Sequence, residues 1–324
     1  MKTVKIGLLG LGNIGTGTYK ALEMNRQEIE SALGSKVDIS KILEKDTERE
    51  RGIYVPKEKF TSDPDDIFND PEIDIVIELL GGIEPATSFM IRAMENGKHV
   101  VTANKAAIAS NYHKLMDASK SGGVKFRFEA SVGGGIPILQ TLTGPLKANK
   151  FEEVMGILNG TTNYILTKMT REGLDYDTAL KDAQAKGFAE ADPTADVEGI
   201  DAANKLTILM ALMFNKYVAP EDIPTTGITG VTKEKIEKAG ADGCRIKLIA
   251  HAKKLENGEI EYGVKPMNIN ESHPLANIND EFNAVFVKGN AVGELMFYGK
   301  GAGPLPTGSA VLGDVIDIVK TAIK

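Results

Sequence analysis

The sequence predicts an α/β protein: a Rossmann-type, doubly wound parallel sheet with helices on both faces, and a second α+β domain inserted before the last helix. Three observations predict it. Short apolar stretches alternate with helix-favouring ones as far as Ser131, glycines fall at the strand ends, and the texture then changes to helices mixed with isolated strands. Residues 4–9 (VKIGLL) form a short apolar run that stops at Gly10, as a strand buried on both faces does. Residues 15–31 favour a helix, and residues 37–43 (VDISKIL) form the second strand. The third, residues 73–80, stops at Gly81 and Gly82. Pro85 opens the next helix and Gly97 closes it, the expected punctuation. Residues 98–102 and 124–129 supply two further strands, and right-handed crossovers between such elements give the parallel sheet.

Beyond the break at residues 133–137 (GGGIP), helices are expected over residues 176–187 and 201–214. Antiparallel strands are expected over residues 259–264, 284–288 and 294–298. A last helix over residues 308–323 is expected to return to the first domain. The division is therefore residues 1–131 plus 301–324 for the first domain and 132–300 for the second.

The 324 residues carry 38 basic and 45 acidic side chains, a net charge of −7, with no Lys/Arg block. That excludes a nucleic-acid binder working by phosphate neutralisation. Cys244 stands alone, and the four histidines have no metal-ligand spacing. The N-terminal apolar run meets glycines too early for a signal peptide, and no apolar run spans a membrane. A soluble, cytoplasmic protein is expected.

Gly10, Gly12 and Gly15 complete GxGxxG, with Leu11, Asn13 and Ile14 between them. The motif gains meaning from its place after a strand and before a helix. The first glycine turns the chain, the second admits a pyrophosphate, and the third packs helix on strand, while the helix N-terminus offers N–H groups and partial positive charge. A plain strand-turn-helix is the bland alternative. The second strand ends at Glu44 and Lys45, where a carboxylate pairs with the ribose diol of NAD and a cation accepts the phosphate of NADP. Glu44 argues for NAD; Lys45, Arg49 or Lys57 could serve NADP, so the choice of cofactor stays open.

Thr102, Asn104 and Lys105 follow a strand at the sheet edge where ligands bind. Leu80 and Gly81 end the neighbouring strand, and Gly301 and Gly303 lie in a glycine-rich segment that opens the last helix. Residues 201–214 are apolar almost all round from Leu206 onward, so the helix is buried. Asp201 and Lys205 lie four apart on one face, where ionisable groups are costly unless they meet a partner or a substrate. Upstream, Glu190, Asp192, Asp196 and Glu198 crowd a loop bounded by glycine and proline; a metal, for which histidine and EF-hand spacing are lacking, or an ammonium-bearing substrate would relieve their repulsion. An acidic surface loop is the bland alternative.

The blocks GLLGLGNIG, ELLGG, TANKA, EASVGGGIP, GILNGTTNYIL, KGFAEADPTADVEGIDAANKL and GKGAGPLPTGSAVLGD, in this order along the chain, resemble homoserine dehydrogenases. The resemblance implies nicotinamide-dependent interconversion of L-homoserine and L-aspartate 4-semialdehyde. It implies that Lys105 and Lys205 belong to the active site, that Glu190 holds the substrate ammonium and that Asp201 bonds the reacting hydroxyl region. Thr161, Asn163 and Tyr164 lie in the block lining the substrate pocket, and Asp196 lies with Glu190. The EASVGGGI block resembles a monovalent-cation (Na⁺ or K⁺) loop, with Glu129 giving a side-chain oxygen and Val132, Gly134 and Ile136 giving carbonyls. A homodimer through the second domain is implied. No C-terminal ACT domain for threonine is expected, since the chain ends just past its last helix. Two other readings remain: another two-domain dehydrogenase with a different pocket, or a redox sensor that binds a dinucleotide without turnover.

Overall fold

The computed structural model describes residues 2–323, in two compact units: Met1–Gly135 with Ala302–Lys324, and Ile136–Gly301. The chain thus leaves the first unit four residues later than its glycines suggest. A Cβ on Gly135 would lie 2.9 Å from Pro306 Cβ, so this residue packs with the last helix, whereas Gly301 packs on Asn283 of the second unit. No helix among the described residues is long and apolar enough to cross a membrane.

The first unit holds six parallel strands: β1 (Thr3–Leu9), β2 (Lys36–Leu43), β3 (Phe60–Thr61), β4 (Ile75–Glu78), β5 (His99–Thr102) and β6 (Phe126–Arg127). Their order, β3-β2-β1-β4-β5-β6, reverses direction between β1 and β4, the switch point at which doubly wound sheets bind dinucleotides. Val4, Ile6 and Leu8 of β1 and Ile75 and Ile77 of β4 are inaccessible to solvent and pack in one core with Leu22 and Val315 from helices. The expected helix over residues 15–31 is two helices, Asn13–Met24 and Arg26–Leu33, because Asn25 leaves helical geometry (φ −121°, ψ 20°).

The last helix, Pro304–Ile318, starts four residues earlier than the sequence suggested. Two prolines in its first turn cost nothing there, because those N–H groups have no intrahelical acceptor. It crosses Asn13–Met24 backbone to backbone: a Cβ on Gly17 would lie 2.2 Å from the Pro304 carbonyl oxygen, and one on Gly308 2.8 Å from Gly17.

The second unit is built on a five-stranded antiparallel sheet ordered β11-β10-β7-β8-β9, with β7 Phe151–Ile157, β8 Cys244–Lys254, β9 Ile260–Asn270, β10 Phe282–Gly289 and β11 Gly293–Lys300. The helices Gly160–Glu172, Tyr176–Ala185, Ile200–Phe214 and Lys233–Ala241, with shorter ones, complete it. Leu206, Ile208, Leu209 and Met210 of the helix Ile200–Phe214 are inaccessible to solvent, as its all-round apolar sequence requires.

Candidate active site

The glycine motif has the geometry its chemistry needs. Gly10 has φ +92°, and a Cβ there would press within 3.0 Å of the Leu79 carbonyl oxygen. A Cβ on Gly15 would lie 2.2 Å from the Gly10 carbonyl oxygen, so this residue lets the helix sit directly on the turn. A Cβ on Gly12 would meet nothing within 4 Å, so open space of the kind a pyrophosphate needs lies beside it. Asn13 and Ile14 open the helix, whose first N–H groups have no intrahelical acceptors and no side-chain cap. Leu80 and Gly81, exposed beyond β4, border the same turn: Leu80 Cδ2 lies 3.2 Å from the Cβ position of Gly10.

Glu44 stands at the end of β2, as expected, but its carboxylate is engaged by the protein. Oε2 accepts the Leu11 N–H at 3.0 Å and lies 3.3 Å from Arg51, while Oε1 accepts the N–H groups of Lys45 and Asp46 at 2.9 and 3.1 Å. These four donors match the roughly four acceptor positions of a carboxylate. Burial works to raise the Glu44 carboxyl, yet the Asp46 and Leu11 N–H groups, the Arg51 guanidinium and the Lys45 N–H hold it below the usual range. Arg51 also donates through Nε to the Leu11 carbonyl at 2.8 Å, so the pair clamps the glycine turn to the loop after β2. Lys45 and Arg49 are exposed on that loop.

Glu78, which the sequence reading passed over, is fully buried at the end of β4. It accepts from the Thr102 hydroxyl and the Leu80 N–H, each at 2.7 Å, and Thr102 Oγ1 in turn accepts the Asn104 N–H at 3.0 Å. Asn104 donates to the Gly82 carbonyl at 2.7 Å and caps the helix Lys105–Ser121 by accepting the Ala107 N–H. Burial pushes the Glu78 carboxyl up, against the donors from Thr102, Leu80, Gly81 and Asn104. One acid thus stitches together the turns after β4 and β5, and Lys105 is presented from the second of them.

In the second unit five side chains converge. Lys205 Nζ donates to Asp201 Oδ2 and to the Leu158 carbonyl, each at 2.6 Å, with both side chains of the ion pair about one-tenth exposed. Asn159 donates to Asp201 Oδ2 at 2.9 Å and to Asp196 Oδ1 at 2.7 Å. Thr161 Oγ1 lies 3.0 Å from Asp196 Oδ2 and 2.6 Å from the Phe188 carbonyl oxygen. The crowding of four acids expected on the loop is resolved differently: Asp192 caps Thr194, and Asp196 shares the Asn159 amide with Asp201. Glu190 is exposed, with its carbonyl bonded to Gln184.

Two residues expected at the pocket face elsewhere. The Tyr164 hydroxyl donates to Asp182 at 2.6 Å and accepts from Lys186 at 2.8 Å. Asn163 lies two positions from Thr161, hence across the helix, and donates to the Ile278 and Phe282 carbonyls while accepting from buried Lys247 at 3.0 Å. Lys247 also donates to the Ile278 carbonyl. Burial, with Arg171 adding repulsion, pulls Lys247 down to about 8. The unfolded lysine titrates near ~10.4, so between these values the unfolded chain binds a proton that the folded one does not, and stability rises with pH. The gain is at most about 3 kcal/mol and is complete above the unfolded value. Below about 8 both states are protonated and the penalty is constant. In urea melts at about pH 7.5 and 10, the stability of wild type relative to Lys247→Met should shift in favour of wild type at the higher pH; an unchanged difference contradicts the assignment.

Of the cation loop, Glu129 is buried, its N–H donates to Asp314 at 2.8 Å and its carbonyl accepts from Val132 at 3.3 Å. Gly133 and Gly134 follow with φ +74° and +55°, and Ile136 opens the second unit. No cluster of three or more His, Cys, Asp or Glu side chains able to hold a metal occurs among the described residues. Gly303 (φ +119°) precedes the last helix, and a Cβ on Gly301 would lie 2.1 Å from the Asn283 side chain.

The model of the homoserine dehydrogenase family matches residues 137–316, and that of its NAD-binding domain matches residues 10–129. The chain belongs to the homoserine dehydrogenase family. It is 45% identical over 320 residues to a homoserine dehydrogenase of Bacillus subtilis (strain 168), covering 99% of this chain and 74% of that protein. The crystal structure of a homoserine dehydrogenase from Thiobacillus denitrificans superposes with a TM-score of 0.95 at 44% identity, covering 99% of this chain and 74% of that one. A hyperthermophilic archaeal homoserine dehydrogenase in complex with NADPH matches with a TM-score of 0.83 at 26% identity, covering 98% of each chain. This chain is accordingly an NAD(P)-dependent oxidoreductase interconverting L-homoserine and L-aspartate 4-semialdehyde, in threonine, methionine and isoleucine biosynthesis.

Proposed function

We propose that Lys205 is the proton donor and acceptor of this homoserine dehydrogenase, held in place by Asp201, and that Lys105 holds the substrate and steadies charge on its oxygen. The observation that carries this reading is the buried 2.6 Å pair of Lys205 Nζ and Asp201 Oδ2. A bound NAD(P) supplies the hydride acceptor in homoserine oxidation and the donor in the reverse direction. As the semialdehyde carbonyl is reduced, negative charge builds on its oxygen, and an ammonium within hydrogen-bond reach stabilises it and gives up a proton. In oxidation the neutral amine takes the hydroxyl proton back. Glu190, exposed on the loop that leads to the pair, holds the substrate ammonium, and Asp196 and Thr161 form the polar floor beside it.

The residues present fit a dinucleotide: the open space at Gly12 takes the pyrophosphate against Asn13, Ile14 and Gly15, with Gly10 as the turn. Leu80, Gly81, Thr102 and Asn104, with Gly303, are the residues of the first unit for the nicotinamide side. At the adenosine corner Glu44 is already paired with Arg51, and exposed Lys45 and Arg49 stand on the same loop as Asp46, Glu48 and Glu50. With Glu44 already engaged by Arg51, Lys45 and Arg49 are available to a ribose phosphate, and an archaeal relative is in complex with NADPH. Following NAD(P)H absorbance with homoserine and each cofactor tests this: both should turn over, NADP with a kcat/KM at least equal to that of NAD. No turnover with either refutes the activity, and a strong NAD preference refutes the reading of Glu44 and Arg51. A monovalent cation at the carbonyls of Val132, Gly134 and Ile136 with Glu129, a homodimer through the second unit, and a cytoplasmic location complete the proposal.

A further inference from the structure

Asn159 follows β7 by two residues and is 6% exposed. Its Oδ1 accepts the Thr162 N–H at 2.9 Å and so caps the helix Gly160–Glu172. Its amide nitrogen does something a cap does not require, spending both protons on carboxylates, Asp196 at 2.7 Å and Asp201 at 2.9 Å. Those acids come from different elements, Asp196 from the short helix Thr194–Val197 and Asp201 from the first turn of Ile200–Phe214. Asp201 carries Lys205 on the same oxygen that Asn159 reaches.

We propose that Asn159 is a positioning residue of the dehydrogenase reaction: one amide nitrogen ties Asp196 to Asp201 and fixes the carboxylate against which Lys205 is held. The proposal rests on the reading of Lys205 and Asp201 as the proton-transfer pair. The chemistry favours an amide here. It offers two protons, carries no charge, and cannot itself titrate, so it joins two like-charged groups without changing protonation state during turnover. Without that donor the buried Asp201 carboxylate and the half-buried Asp196 carboxylate face each other. Repulsion and desolvation then drive one of them to take up a proton. A proton on Asp201 removes the charge that orients the Lys205 ammonium.

Asn159→Asp separates the two roles. Asp caps a helix as well as Asn does, so the Thr162 bond survives, while the two-proton donor becomes a third acceptor between two acids. The kcat/KM for homoserine should fall about 100-fold, the size expected for lost hydrogen bonds to charged groups. The acid limb of its pH profile should move up by about one unit as the carboxylates gain affinity for protons. The KM for NAD(P) should stay within about twofold, because the glycine turn lies in the other unit. Asn159→Ser, which caps and keeps one donor, should fall between, with a loss of about tenfold. If Asn159→Asp does not fold, the serine variant is read by the same criteria. An unmoved acid limb in the folded variants, or activity within about threefold of wild type, overturns the proposal; loss of turnover without the pH shift is what a purely structural residue would give. Lys205→Ala run in parallel keeps the two readings apart. If it retains full activity the proton-transfer assignment fails, and if it is inactive while the Asn159 variants behave as wild type only the role of Asn159 fails.

Discussion

Lys205→Ala lowers kcat for homoserine oxidation by about 10²–10⁴ while leaving the dissociation constant for NAD(P) within about twofold. The factor is what a positioned general acid or base contributes. The separation of the two effects follows from the architecture, since Lys205 belongs to the second unit and the glycine turn to the first. The substitution also strands Asp201, which keeps only the Asn159 amide among the bonds described for it above and sits about one-tenth exposed. A buried carboxylate that loses its cation destabilises by about 3–5 kcal/mol. Activity must therefore be measured well below the melting temperature, with folding checked by circular dichroism. Lys205→Met, which keeps the stem and removes only the charge, gives the same loss of kcat if the ammonium does the chemistry. A loss confined to stability, with normal turnover in the folded fraction, would make Lys205 a structural residue.

Gly15→Ala raises the KM for NAD(P) by at least about tenfold and lowers the melting temperature of the first unit, while an alanine at Gly12 meets no neighbour in the unliganded fold. The methyl at position 15 would need to occupy a point 2.2 Å from the Gly10 carbonyl oxygen, and a backbone atom cannot rotate out of the way. The turn has to open, moving the N–H groups that face the phosphates. Gly12→Ala should instead be neutral for stability and weaken cofactor binding alone, because its Cβ lies in the space left for the pyrophosphate. Melting curves with and without NADP separate the two. Equal loss of stability in both variants would contradict these roles of the glycines.

The legible parts of the sequence were those in which local pattern and tertiary role coincide. Parallel strands buried on both faces leave apolar runs, closed by glycine after β1 and β4, while β2 shows as an alternating stretch and β5 as a short run after Gly97. β3 has two residues, too few to make a run. β7 begins FEE and β8 holds Lys247 and His251 among its buried positions, so neither shows the clean alternation that marks a half-buried strand. The last helix starts earlier than its sequence pattern suggests, because Pro304 and Pro306 look like a connection although a first turn tolerates both. At the site, Asp201 and Lys205 are four apart on one helix and could be paired from spacing alone. Asn159 could not: it reaches acids 37 and 42 residues away, and a polar residue between a strand and a helix is an ordinary cap. Glu78 was hidden in an apolar run, where a single acid carries no pattern.

The central claim is that the Lys205 ammonium and its carboxylate partner stand where the hydroxyl of homoserine gives up its hydride and its proton. The most direct test is a crystal structure of the ternary complex with homoserine and an NADP analogue that cannot accept hydride. The account predicts Lys205 Nζ within about 3.2 Å of the homoserine hydroxyl oxygen, with Asp201 still bonded to that amine. A hydroxyl bound more than about 6 Å from Lys205, with another acid or base in reach, would contradict it.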